Sequence, residues 1–184
     1  HGAYLDAGAE ILVTNTFQAN PAALARHGLQ DRLGDIWQAA LASARRDPSA
    51  FVLADVGPVD GLNVDQCAAL LSYCRGADGL LLETWSPGGQ LSSIAHPTGT
   101  PTGPKLPFFV SFTYARPDKD DLPYTLNRMP AEECAGFAEG LGAIAVGVNC
   151  GRDLGMDDCR FIVSGYHART GLPTFIRPNA GTPH

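Results

Sequence analysis

Six short apolar runs recur along the chain at Glu10–Thr14, Phe51–Asp55, Gly79–Glu83, Pro107–Phe112, Ile144–Asn149 and Thr174–Ile176. Most are nearly continuous rather than alternating, the pattern of a parallel strand covered on both faces. Between them the apolar residues change period. Leu33, Ile36, Trp37, Ala40, Leu41 and Ala44 fall at steps of three and four and so share one face of a helix. Val64, Cys67, Ala68, Leu71 and Cys74 repeat that spacing, as do Cys134, Phe137 and Leu141, and then Met156, Cys159, Ile162, Val163 and Tyr166. Asn20 before Pro21 is an N-cap with proline at the first helical position, and Gly28 suits a left-handed helix exit. Pro130 can open a helix, and Gly171 with Pro173 can close the last one. Alternation of β and α over the whole length predicts an α/β fold with a parallel sheet. The pattern alone leaves two architectures, an open doubly wound sheet and a closed barrel.

A dinucleotide fingerprint would favour the open sheet, and Gly140, Gly142 and Ala145 match its spacing. They lie where a helix ends and a strand begins, whereas phosphate binding needs a strand feeding a helix N-terminus, so this match is set aside. No P-loop, HExxH, GxSxG or CxxC motif occurs. The stretch from His96 to Lys105 is rich in Pro, Gly and Thr and predicts a loop, not a domain boundary. Residues 1–184 read as one domain.

Composition narrows the class. Hydrophobic residues make up 45% of the 184 and charged residues 17%, as in a soluble enzyme-like domain. The net charge of -6 arises from 13 basic and 19 acidic residues, and the basic ones form no stripe, which argues against nucleic acid and anionic membrane as partners. No apolar run reaches the roughly 18 to 20 residues that cross a bilayer, and the first residues lack a signal-peptide layout, so the cytoplasm is the expected compartment. Five cysteines, an odd number at irregular spacing, read as reduced. The absence of an initiating Met suggests a start inside a longer product.

Polar residues gather where each apolar run ends: Thr14, Asn15 and Thr16; Asp55, Gly57 and Pro58; Glu83 and Thr84; Ser111 and Thr113; Asn149 and Cys150; Arg177, Pro178 and Asn179. In a β/α barrel the active site is built at these carboxyl ends. Each residue taken singly fits the start of a loop equally well.

Together the words are more specific. YLDAGAEILVTNTF (Tyr4 to Phe17), ADVGP (Ala54 to Pro58), LLLET (Leu80 to Thr84), VSFT (Val110 to Thr113), AVGVNC (Ala145 to Cys150) and PNAG (Pro178 to Gly181) resemble, in order, strand ends of the zinc-dependent homocysteine S-methyltransferases. The resemblance spans nearly the whole chain. It implies a parallel (β/α)8 TIM barrel, present as about six βα units. The family's Gly-rich first strand and its C-terminal Cys-Cys segment have no counterpart, and the usual length of about 250 residues is not reached.

The resemblance also implies chemistry. Cys150 corresponds to the first zinc cysteine, with the other two cysteine ligands expected beyond His184. A zinc thiolate site with one vacant position takes the homocysteine sulfur and lowers its pKa, so that a thiolate attacks an activated methyl group at neutral pH. Glu83 matches the glutamate that binds the homocysteine amino group, though it also suits capping of the following loop. Asn149 either donates a hydrogen bond beside the metal cysteine or occupies the open coordination position when substrate is absent. Thr14, Asn15, Thr16 and Ser111 would line the pocket. The implied partners are homocysteine and a small methyl donor.

Cys67, Cys74, Cys134 and Cys159 fall on apolar helical faces and are expected in the core. The five histidines show no ligand spacing. Gly88 and Gly89 predict a short or irregular helix after Glu83. Two other functions stay open: a truncated or degenerate relative without metal, and a metal-free barrel enzyme with Cys150 as covalent nucleophile, for which no neighbouring base can be assigned.

Overall fold

The structure, a computed structural model, describes residues 1–59, 61–96, 106–116, 122–149, 151 and 154–178. Among the described residues there are six strands: β1 (Ile11–Val13), β2 (Phe51–Val56), β3 (Gly79–Trp85), β4 (Phe108–Thr113), β5 (Ala145–Asn149) and β6 (Thr174–Arg177). Seven α-helices accompany them among the described residues: α1 (Gly2–Asp6), α2 (Pro21–Ala25), α3 (Leu33–Ala44), α4 (Val64–Ser72), α5 (Gly89–Ala95), α6 (Ala131–Gly140) and α7 (Met156–Arg169). All six apolar runs are strands, with ends shifted by one or two residues. The helix α1 has no counterpart in the sequence pattern; it buries no residue and so carries no apolar periodicity.

The chain divides into two compact units, one comprising residues 1–82 and 93–108, the other residues 83–92 and 109–184. In the first, β1 pairs with β2 and β2 with β3, all parallel. In the second, β4 pairs with β5 and β5 with β6, again parallel. The Leu80 N–H donates to the Pro107 carbonyl at 2.9 Å, so the chain entering β4 runs beside β3. A doubly wound sheet reverses its strand order and places β1 beside β3 or β4, whereas here β2 lies between β1 and β3. Strand order therefore follows chain order, β1 to β6. This is the α/β barrel class, represented among the described residues by six of its parallel strands.

The first unit is built as its sequence predicts. Asn20 accepts a hydrogen bond from the Ala23 N–H at 2.9 Å and caps α2, whose first residue is Pro21. Gly28 has φ +65°, the left-handed exit. Trp37, Ala40 and Ala44 are the buried stripe of α3, and the Trp37 indole N–H donates to the Ala19 carbonyl at 2.8 Å. Asn63 and Gln66 cap α4 reciprocally, each side chain accepting from the other's backbone N–H. Val64, expected on the apolar face, is exposed because it stands in the first turn, beyond the reach of the packed layer. Gly57 approaches Phe17 so closely that its N–H donates to the Phe17 carbonyl at 3.1 Å. A Cβ at Gly57 would lie 2.6 Å from that oxygen. Gly57→Ala is expected to lower unfolding free energy by about 1–3 kcal/mol in urea titration, since the Cβ would meet the Phe17 carbonyl as well as its ring. An unchanged midpoint would show that this approach is absent.

In the second unit α6 buries Ala131, Cys134, Ala135 and Ala138, and α7 buries Cys159, Ile162, Gly165 and Tyr166. Met156, like Val64, begins its helix and is exposed. Gly147 in β5 faces the Phe175 ring, which a Cβ would meet at 2.4 Å. The Tyr166 hydroxyl donates to the Gly147 carbonyl at 3.0 Å, which leaves Tyr114 to donate to the Tyr166 oxygen at 2.9 Å. Burial pushes both phenols well above their ordinary pKa, so they stay protonated and each keeps its donor. Helix α5 is short, with 7 residues, as Gly88 and Gly89 predict. Gly140 ends α6, Gly142 takes φ +86° and Ala145 starts β5, so the three positions of the set-aside fingerprint form a helix-to-strand turn. Residues 97–105 of the expected loop lie outside the described residues.

Candidate functional site

The carboxyl ends of the strands hold the residues singled out from sequence. In the first unit, Thr14 and Thr16 are buried and Asn15 between them is exposed, the alternation of an extended chain leaving β1. The Thr16 hydroxyl donates to the Asp55 carbonyl at 2.8 Å, and the Asp55 N–H donates to Thr14 Oγ1 at 3.0 Å. Thr16 has one proton and gives it to Asp55, so across the 2.6 Å contact Thr14 donates to Thr16. This closed cycle ties the end of β1 to the end of β2 and orients both hydroxyls.

In the second unit, Ser111, Asn149 and Thr84 form a relay. The Ser111 hydroxyl, fully buried, donates to Asn149 Oδ1 at 2.6 Å, and Asn149 Nδ2 donates to Thr84 Oγ1 at 2.7 Å. Both ends of the Asn149 amide are thereby engaged, and its orientation follows from its partners. Thr84 sits at φ +66°, a left-handed conformation that is costly for a β-branched residue. Register places Thr113, Asn149 and Arg177 level at the ends of β4, β5 and β6.

Glu83, mostly buried at the end of β3, faces Arg177 from β6. Arg177 Nη1 lies 2.7 Å from Glu83 Oε1, with the Glu83 side chain 16% exposed and Arg177 39%. The separation is that of an ion pair, but no N–H of Nη1 is aimed at the carboxylate: Nη1 is buried without completing a hydrogen bond. Arg177 and Thr84 were visible in the sequence as members of strand-end clusters. Neither had a signal of its own, because an ion pair joining β3 to β6 and a strained φ both depend on contacts distant along the chain.

Cys150 and Asn179 lie outside the described residues. Gly151, which follows Cys150, is described, and a Cβ on it would fall 1.6 Å from the Tyr114 carbonyl oxygen. Only glycine lets the chain pass the end of β4 there.

The other four cysteines are buried, as expected from their helical faces. Burial pushes the Cys74 thiol up to about 12 and Cys134 up to about 11, and raises Cys67. Thiols held protonated in this way are poor metal ligands. Among the described residues no group of three or more His, Cys, Asp or Glu is placed to hold a metal ion. The described residues thus do not amount to a zinc site by themselves. Among them, too, no helix is long and apolar enough to cross a membrane.

Comparison with known proteins agrees with the strand-end words. The family model described as homocysteine S-methyltransferase matches residues 1–184. The methionine synthase of Mycobacterium tuberculosis (strain ATCC 25618 / H37Rv) is 29% identical over 210 residues, covering 100% of this chain and 17% of that protein. The methionine synthase of Mycobacterium leprae (strain TN) is 27% identical over 206 residues, covering 100% of this chain and 16% of that protein. The chain therefore spans about a sixth of the length of these curated relatives. Among solved structures, the carboxyl transferase domain of Rhizobium etli pyruvate carboxylase with 3-bromopyruvate aligns at TM-score 0.59 and 15% identity, over 85% of this chain and 27% of that one. The same domain with 3-hydroxypyruvate aligns at TM-score 0.54 and 16% identity, over the same shares. At such identity these two support the fold alone.

Proposed function

Because the chain belongs to the homocysteine S-methyltransferase family, we propose that the whole protein transfers a methyl group from a small activated donor to the thiol of homocysteine, forming methionine. The observation that carries this reading is the match of that family over residues 1–184, supported by relatives named methionine synthase. We read these residues as part of one homocysteine-binding barrel domain of a cytoplasmic enzyme.

The residues are assigned roles as follows. Glu83 receives the substrate ammonium: a mostly buried carboxylate binds a cation more strongly than an exposed one, and a fixed amino group sets where the sulfur can reach. Asn149 is a positioning residue. Its amide is held by Ser111 and Thr84, so the backbone leading into Cys150 has a defined path. Thr14, Asn15 and Thr16 are read as substrate-binding residues of the first unit, where Asp55 holds Thr14 and Thr16. Cys150 is assigned as a zinc thiolate through its place in GVNC, and its two companion ligands come from outside these 184 residues. Zinc, when bound, lowers the pKa of a coordinated thiol and so supplies a thiolate at neutral pH. In the overall reaction the homocysteine S–H bond and the donor's bond to methyl break, a sulfur–methyl bond forms, and the thiol proton leaves to solvent.

The test supplies the whole protein with homocysteine and, in turn, betaine, S-methylmethionine, S-adenosylmethionine, and methyltetrahydrofolate with cobalamin, and assays methionine. Methionine from one donor, with about one zinc per chain, is the expected result. No methionine from any donor would overturn the reading in favour of a non-catalytic relative. Methionine formed by a metal-free protein would overturn the zinc assignment.

A further inference from the structure

The Glu83–Arg177 pair has a consequence beyond binding an amino group, and it rests on the reading of Glu83 just given. We propose that Arg177 receives the α-carboxylate of the substrate, so that Glu83 and Arg177 together recognise a free amino acid by both of its charges. Three observations lead there. Arg177 Nη1 is within 2.7 Å of Glu83 Oε1, yet it completes no hydrogen bond and is buried, so a donor is held in place without an acceptor. The contact with Arg177 is made through Glu83 Oε1, which leaves Oε2 for an ammonium. Arg177 is 39% exposed, so the rest of the guanidinium fork can be reached by a ligand.

The charges make the assignment specific. A ligand carrying only an ammonium would bring a second cation beside Arg177, and this repulsion offsets part of its attraction to Glu83. A zwitterion brings its ammonium to Glu83 and its carboxylate to the guanidinium, so that each charge meets two of opposite sign. The planar fork of Arg matches a carboxylate in two parallel hydrogen bonds, a geometry Lys does not reproduce. The site would then reject amines, esters and peptide-linked residues that lack a free carboxylate.

The experiment is calorimetric titration of the whole protein with three thiols: homocysteine, 3-aminopropane-1-thiol, which lacks the carboxylate, and 4-sulfanylbutanoate, which lacks the ammonium. Arg177→Gln is expected to raise the Kd for homocysteine by about 10- to 100-fold, the loss of a charged hydrogen-bonding partner. The same substitution should leave 3-aminopropane-1-thiol unweakened, so the preference for homocysteine over it collapses. Arg177→Lys, which keeps the charge, should retain part of that preference and guards against misfolding of the first variant. An equal loss of affinity for both thiols, or for neither, would overturn the proposal and leave Arg177 as a support for Glu83. The outcome is separable from that of the methyl-transfer reading. Selective binding without methionine formation overturns that reading and keeps this one; methionine formation with unchanged thiol preference in Arg177→Gln does the reverse.

Discussion

Replacing Cys150 by Ser in the whole protein is expected to release the bound zinc and to lower kcat/KM for homocysteine methylation by about 10³-fold or more. The magnitude follows from the several kcal/mol that a metal contributes to charge stabilisation, each 1.4 kcal/mol being about tenfold in rate. A serine hydroxyl stays protonated at neutral pH and is a hard donor, so it does not replace a thiolate on zinc. None of the four described cysteines can take over. Cys67, Cys74, Cys134 and Cys159 are buried, at 3% exposure or less, and burial holds the first three thiols protonated. The four corresponding Cys→Ser variants are thus the controls: each should keep its zinc while losing some stability. Metal analysis and initial rates on all five variants check the assignment. A Cys150→Ser protein with full zinc content and unchanged rate would remove Cys150 from the site.

The second large effect is expected at Gly151, where the cause is space. With the Tyr114 carbonyl oxygen 1.6 Å from the position of a Cβ, Gly151→Ala cannot be absorbed by turning a side chain; the backbone itself must withdraw from the end of β4. The segment that withdraws contains Cys150 and adjoins Asn149, whose hydrogen bonds to Ser111 and Thr84 are 2.6 and 2.7 Å long and do not survive a shift of an ångström. A misplacement of that size costs catalysis about 10²-fold. The global fold should suffer less, because the displaced residues follow β5 rather than lie inside it. Rate measurements beside a thermal melt distinguish the two. Wild-type turnover in Gly151→Ala would show that the chain beside Cys150 tolerates movement, and the positioning role of Asn149 would fall with it.

Much of the architecture was legible in the chain because it depends on neighbours. A strand covered on both faces must be apolar at successive positions, so Val52 to Ala54 and Leu80 to Leu82 announce themselves, and all six residues are buried. A helix needs its first N–H groups satisfied, so Asn20 and Pro21 mark a start. Buried cysteines on helical faces were readable for the same reason. The choice between open sheet and barrel was of another kind. Periodicity says that a strand exists and not which strand lies beside it, so the residues alone left both architectures open until the words shared with the family favoured the barrel. In the structure β2 pairs with both β1 and β3, so the strand order does not reverse as a doubly wound sheet requires.

The site divides along the same line. The strand-end positions of Thr14, Thr16, Glu83, Ser111 and Asn149 follow from where each apolar run stops, a property of local sequence. Their connections do not. The Thr14–Thr16–Asp55 cycle, the Ser111–Asn149–Thr84 relay and the Glu83–Arg177 pair join residues from different strands. The positive φ of Thr84 opposes its own intrinsic preference, and only surrounding contacts can hold it there. Sequence by itself determined which segments extend, which coil and where polar side chains emerge, because backbone propensity and solvent exposure act over a few residues. Tertiary structure alone decided which of those side chains meet, because hydrogen bonds and ion pairs require approach within about 3 Å, and that distance is set by packing across the sheet.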